Sequence, residues 1–254
     1  TDHLLSYRFT GDIDLKLLQA HSASFMMPLP WRHTLTLSGS YADVTGSIPS
    51  QHITQSGSSY QLNLRYEMPL PTLGTYKHQL SLGADFRHLD NSLEFNFVNV
   101  FADTTEIAQS VIGYTGLLPD NFGSTFLGAE YYFSPGGLTD RNTDQVFATS
   151  FPFAEANYHF AKFNLERVTR LPGGFNWRIS SAYQMADGNL LPSEQFGMGG
   201  AYTVRGYEER AASGTEGYLV SNELRTPPLP FGKLFDKRPK TSFNSSVSST
   251  TARR

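Results

Sequence analysis

The connections between apolar segments alternate in length, and few folds accept that rhythm. Those at 27–32, 69–75, 118–123 and 171–174 are short and carry proline or glycine, whereas 43–58, 88–104, 134–149 and 188–217 are long. Between them the residues alternate at period two, the signature of strands with two unlike faces. Leu35, Leu37 and Tyr41 oppose Thr34, Thr36, Ser38 and Ser40; Tyr60, Leu62, Leu64, Tyr66 and Met68 oppose Gln61, Asn63, Arg65 and Glu67. The same split sets Leu80, Leu82, Ala84 and Phe86 against Gln79, Ser81, Gly83, Asp85 and Arg87. It recurs with Phe175, Trp177, Ile179 and Tyr183 against Asn176, Arg178, Ser180 and Gln184. A polar face of this kind meets water either outside a sandwich or inside a barrel. Short turns at one end and long loops at the other describe an up-and-down outer-membrane barrel. Ten strands are expected, near 3–10, 16–27, 33–43, 58–68, 76–88, 104–116, 123–133, 150–170, 174–186 and 217–226. Residues 91–101 read as a further short strand or as a lid over the outer rim, and the phase slips around 160–163.

Composition narrows the reading. Hydrophobic residues make up only 39% of the 254, and no apolar run is long enough for a membrane helix. A membrane barrel passes this test, because lipid-facing and lumen-facing residues alternate and the average looks polar. Aromatic residues at 13% fit the girdles of such a barrel. No cysteine is present, which removes disulfides and thiolate metal sites. The net charge of −3 supplies no drive toward nucleic acid. The chain opens Thr1-Asp2-His3 without a basic and apolar leader, so it is expected to be a mature protein or a fragment.

The longest connection is dense in glycine and aromatic residues: Gln195-Phe196-Gly197-Met198-Gly199-Gly200-Ala201-Tyr202-Thr203-Val204-Arg205-Gly206-Tyr207. It is too long for a hairpin turn and too rich in large side chains for a linker, so it is expected to fold back and pack through Phe196, Tyr202, Val204 and Tyr207. Three stretches occur in order: Leu191-Pro192-Ser193-Glu194-Gln195-Phe196-Gly197, Val204-Arg205-Gly206-Tyr207 and Glu223-Leu224-Arg225-Thr226-Pro227. In this combination the chain resembles the haemolysin secretion/activation family, the outer-membrane transporters of two-partner secretion, over about residues 3–243.

The resemblance implies an all-β, antiparallel transmembrane barrel, here about ten strands of an expected sixteen. Residues 1–243 would be a partial barrel holding a lumen-folding loop at 188–217, followed by a non-native or disordered tail at 244–254. Periplasmic domains would precede it and about four strands would follow. Val204, Arg205, Gly206 and Tyr207 would form the tip of the pore loop, supported by Gln195, Phe196, Gly197, Gly199 and Gly200. Arg65, Glu67, Asp85, Arg87, Arg178 and Glu223 would face the lumen. Arg205 would need an acidic partner, expected on a strand beyond this chain. The protein would sit in the outer membrane of a Gram-negative bacterium as a monomeric barrel, contacting lipid. It would move an unfolded exoprotein to the cell surface without nucleic acid, cofactor, metal or enzymatic step.

Other chemistries fit less well. Gly197, Gly199 and Gly200 lack the strand–turn–helix setting of a phosphate cradle. The seven histidines lack metal-ligand spacing, and no Gly-x-Ser-x-Gly elbow occurs. Glu67 and Asp85 invite a paired-carboxylate reading, but Arg65 and Arg87 beside them explain both as lumen charge. Pro227-Pro228-Leu229-Pro230 closes a strand at a turn more readily than it serves as a polyproline ligand. Three functional alternatives stand beside secretion: insertion of other barrel proteins, a soluble β-sandwich binding or adhesion module, and a plain diffusion porin.

Overall fold

A computed structural model of the protein describes residues 2–15, 17–48, 53–95, 98–227 and 246–253. Eleven strands form one antiparallel sheet in chain order. They are β1 (Leu4–Gly11), β2 (Leu18–Pro28), β3 (Thr34–Ile48), β4 (Ile53–Pro69), β5 (Lys77–Phe95), β6 (Val98–Asp120), β7 (Gly123–Pro135), β8 (Asn157–Arg170), β9 (Asn176–Ala186), β12 (Gly217–Arg225) and β13 (Ser246–Arg253). Two short strands, β10 (Phe196–Met198) and β11 (Ala212–Gly214), pair separately inside the last long loop. A helix, α1 (Asp144–Ser150), lies in the loop after β7.

Strictly sequential antiparallel pairing is what tight turns between neighbours impose. After β6, Asp120 pairs with Gly123, and the Asp120 carboxylate accepts the Phe122 N–H at 2.8 Å, closing a two-residue turn. After β2 the Leu29 N–H donates to the His33 carbonyl at 2.8 Å. All four short turns fall at one end of the sheet, and the connections that carry α1 and the 187–216 loop fall at the other.

Because side chains alternate across a strand, register decides which residues share a face. Leu37, Leu64 and Ala84 line up across β3, β4 and β5 on the outer face, with Leu35, Tyr66 and Leu82 as the next row. Leu37, Leu62, Leu64, Leu82 and Ile112 stay exposed there. Toward the turn end this apolar band meets aromatic groups with polar handles. Tyr66 takes hydrogen bonds from Trp31 (3.0 Å) and pairs with His33 (2.6 Å), Tyr76 meets Tyr114 (2.6 Å), and Trp177 donates to Asn222 (2.6 Å). Toward the other end Tyr60 stacks on His88, with ring centroids 4.6 Å apart. An apolar band between two aromatic rims is the exterior a bilayer requires.

Among the described residues, the inner face carries a packed core. Ile107 and Val111 on β6, Tyr132 on β7 and Tyr158 and Phe160 on β8 bury against Phe147 of α1, Ala154, Ala156, Leu190 and Leu191. Tyr132 and Phe160 stack at 4.5 Å. Two long loops therefore fold back over the β6–β8 wall instead of standing in solvent.

Four expectations need correction. Residues 43–58 and 88–104 are for the most part not loops: β3 and β4 pair out to Ile48↔Ile53, and β5 and β6 out to Phe95↔Val98 past a register shift at Leu93/Glu94. Residues 91–95 and 98–101 are thus part of that extended hairpin; 96–97, like 49–52, lie outside the described residues. The strand expected at 150–170 begins only at Asn157, because α1 takes 144–150. Within the tail expected to be disordered, Ser246–Arg253 is a strand paired with β12 from Arg225↔Ser246 to Tyr218↔Arg253. An open edge on β12 offers a row of backbone donors and acceptors, and a Ser/Thr-rich segment satisfies them without any apolar alternation. Pro228 to Pro230, the body of the proline run, lies outside the described residues.

Candidate functional site

Residues 187–216 leave β9, cross the inner face and return to β12. The lead-in is held first. The Glu194 carboxylate, 2% exposed, is paired with the Arg87 guanidinium of β5 and accepts from Gln109 Nε2 of β6 at 3.3 Å. The Glu194 carbonyl accepts from Gln184 Nε2 of β9 at 3.0 Å, and the same amide reaches the Thr215 carbonyl at 3.0 Å. Gln109 is fixed in turn by the Tyr158 hydroxyl, which donates to its Oε1 at 2.9 Å. A buried carboxylate persists only when paired in this way.

Beyond this root the loop makes its own scaffold. Gln195 Nε2 donates to the Leu190 carbonyl at 3.0 Å, and Arg210 donates to the carbonyls of Pro192 (2.6 Å) and Gln195 (3.2 Å). Gly197 lies against the Arg210 side chain, and Phe196 covers Gly217 so closely that a Cβ there would collide with its ring. Phe196 and Met198 pair with Gly214 and Ala212, which closes the tip at its base. Gly199 adopts φ +118, and a Cβ on it would strike the Glu208 carbonyl, so both conformation and space demand glycine. Thr203 Oγ1 accepts from the Gly199 N–H at 2.8 Å and donates to the Gly199 carbonyl at 2.5 Å. Gly200 sits against the Glu209 carboxylate, which caps the Ala201 N–H at 3.2 Å.

At the tip, Arg205 Nη2 lies 3.1 Å from Glu223 Oε1 on β12. Gly206 follows at φ +92 with open space around it, so conformation alone calls for glycine there. Glu223 is the centre of a cationic cluster: Arg225 reaches it at 2.8 Å and Arg178 at 3.9 Å, while Arg178 also holds Glu166 at 2.6 Å. The Glu223 side chain is 11% exposed and that of Arg205 is 54% exposed. An acidic partner for Arg205 is therefore supplied within this chain, by the strand that directly follows the loop. The expectation of a partner only beyond the chain is corrected. The strand seated beside β12, Ser246–Arg253, has no acidic residue in its sequence. Tyr202 and Tyr207, expected to pack, are 97% and 67% exposed, whereas Val204 is half-buried.

The remaining expected residues also share the inner face. Arg65 and Asp85 form a bidentate pair at 2.5 and 2.9 Å. Glu67 is half-buried opposite Ser81, while Asp85 stands opposite Asn63, so the two carboxylates are offset along the strands and form no acid–base pair. Among the described residues, no group of three metal-ligating side chains converges. Glu194, Gln109 and Gln184 were missed as site residues. Glu194 lies inside the Leu191–Gly197 motif, and an acidic residue in a motif that packs is the available signal.

The profile of the haemolysin secretion/activation protein family ShlB/FhaC/HecB matches residues 2–242. The chain is similar to the heme/hemopexin transporter protein HuxB of Haemophilus influenzae. For strain 86-028NP it is 27% identical over 214 residues, which is 82% of this chain and 35% of that protein. For strain ATCC 51907 it is 28% identical over 159 residues, 61% of this chain and 27% of that protein. Among solved structures, CdiB from Escherichia coli superposes with a TM-score of 0.72 at 17% identity, covering 92% of this chain and 47% of that one. CdiB from Acinetobacter baumannii gives 0.65 at 17% identity, covering 92% and 40%. These two likenesses concern the fold. The chain spans about a third or less of the curated relatives it matches and under half of the solved ones.

Proposed function

Since the chain belongs to the haemolysin secretion/activation protein family, we propose that it forms wall and pore loop of an outer-membrane transporter that secretes, and thereby activates, a partner exoprotein. The observation that carries this reading is the 187–216 loop, folded inward and fastened at both root and tip to strands of the inner face. The family match disfavours a plain diffusion porin, and a soluble sandwich would not set an apolar band between aromatic rims on its outside. The Gram-negative outer membrane is the compartment, and lipid contacts the Leu37–Leu64–Leu82 face. Transport here is a matter of positioning and water: a polar lumen solvates an extended polypeptide, and folding outside draws it forward. No covalent step enters.

The test is secretion itself. The complete transporter and the large exoprotein encoded beside it are expressed together in a Gram-negative host lacking both. The exoprotein is expected in the medium only when the transporter is present. Release without it, or retention with a correctly assembled barrel, overturns the proposal.

A further inference from the structure

Resting on that reading, we propose that the translocating polypeptide runs along a hydroxyl ladder on the inner face of β3, flanked by β2 and β4. Four residues of β3 face inward in succession: Thr34, Thr36, Ser38 and Ser40. Register sets Ser22 and Ser24 of β2 beside Ser40 and Ser38, and Gln61 and Asn63 of β4 on the other side. Ser6 of β1 extends the hydroxyl surface, its side chain 2.7 Å from that of Ser24. Across Ser6, Ser22, Ser24, Ser38, Ser40 and Asn63 the face is hollowed into a depression of about 320 Å³, with Arg8 the one charged group on its rim. The bonds named above that fasten the 187–216 loop reach β5, β6, β9 and β12, and none of them reaches β2 or β3.

Three physical features fit an extended polypeptide and no particular sequence of it. The first is pitch. Inward-facing residues on one strand recur every two residues, about 6.6–6.8 Å, and an extended chain repeats its same-side N–H and C=O groups at the same interval. A chain lying along β3 therefore meets equivalent partners again after each two-residue advance. The second is ambivalence. A hydroxyl both donates and accepts, so it serves either peptide group by rotating, and each such bond is worth only about 0.5–1.5 kcal/mol net. The Ser6–Ser24 and Asn63–Ser38 contacts (2.7 and 3.4 Å) show these groups satisfying one another when no other partner is present. The third is neutrality. Arg65, Arg87, Arg178 and Arg205 with their carboxylates would hold a charged segment in place. Glu67 and Arg65 stand opposite Thr34 and Thr36, so the uncharged stretch of the ladder is Ser38 and Ser40 with Ser22, Ser24, Gln61 and Asn63.

Cysteine cross-linking in the full-length transporter tests this, helped by the absence of native cysteine from these 254 residues. The probe is the exoprotein encoded beside the transporter, carrying one cysteine and fused to a cysteine-free folded domain that stalls it in the pore. A short bismaleimide is applied to transporters bearing Ser24→Cys, Ser38→Cys or Ser40→Cys. Asn164→Cys and Ser180→Cys on the inner face of β8 and β9 serve as comparators, and Leu37→Cys as the outer-face blank. Cross-linked yield is expected to be several-fold higher at the three ladder positions than at either comparator, with none at Leu37→Cys. Equal or greater yield at Asn164→Cys or Ser180→Cys overturns the ladder and leaves secretion standing. Absence of cross-links from every inner position, in transporters that assemble, overturns the secretion reading as well.

Discussion

At the scale of single residues, the two fastenings of the loop differ in burial, and their loss should differ accordingly. The Arg205–Glu223 pair is half open to water, and exposed pairs contribute about 0–1 kcal/mol to stability. In the complete transporter, Arg205→Ala should leave heat-modifiable gel mobility unchanged while secretion falls strongly, and Glu223→Gln should reproduce that defect. Normal secretion by Arg205→Ala would remove the anchor role, and loss of the barrel would recast Arg205 as structural. Glu194 is buried, and its loss leaves Arg87 and Gln109 short of an acceptor at a cost of about 1–3 kcal/mol. Glu194→Ala should therefore loosen the whole loop, read as faster proteolytic nicking at 199–210 in the assembled protein. Unchanged nicking would show that the core around Leu190 and Leu191 holds the root unaided. Val204 to Tyr207 were legible in the sequence through their motif, whereas the pairing of Arg205 with Glu223 was not. It joins residues eighteen apart across a loop whose path depends on tertiary packing.

At the scale of elements, alternation located the strands because one side of each is apolar and the other polar. The same contrast gives a prediction. Leu64→Arg should impair insertion by about 2–4 kcal/mol near the bilayer midplane, whereas Asn63→Arg, on the inner face of the same strand, should fold. Refolding yield into lipid vesicles measures both, and equal tolerance would sink the membrane assignment. Where that contrast fades, the strands became illegible. Residues 43–48 and 53–58 are rich in Ser, Thr and Gly and lack a sustained apolar alternation, and so they read as loop. Helix α1 has seven residues, too few for a 3.6-residue period to register. Its only local signal was Thr143, whose hydroxyl caps the Val146 N–H at 3.4 Å.

At the scale of the whole molecule, β1 and β13 end the sheet, and no pairing joins them among the described residues. In hydrocarbon each unsatisfied backbone group costs several kcal/mol, so closure is a condition of spanning the membrane. The 254-residue chain refolded alone should give no steady pore conductance in planar bilayers, while the complete transporter should. Stable channels from the isolated chain would show that its two edges can meet. A last consequence follows from the length of the central hairpin. β5 has 19 residues and β6 has 23, where about ten suffice to cross a bilayer. At about 3.4 Å per residue and a tilt near 40°, β5 rises about 50 Å along the barrel axis against an apolar band of about 25 Å. The β5–β6 hairpin therefore stands as a one-sided wall above shorter strands such as β1 with 8 residues, β7 with 13 and β12 with 9. On the proposed reading, this raised wall guides an emerging polypeptide past the rim on one side and leaves it open to the medium on the other.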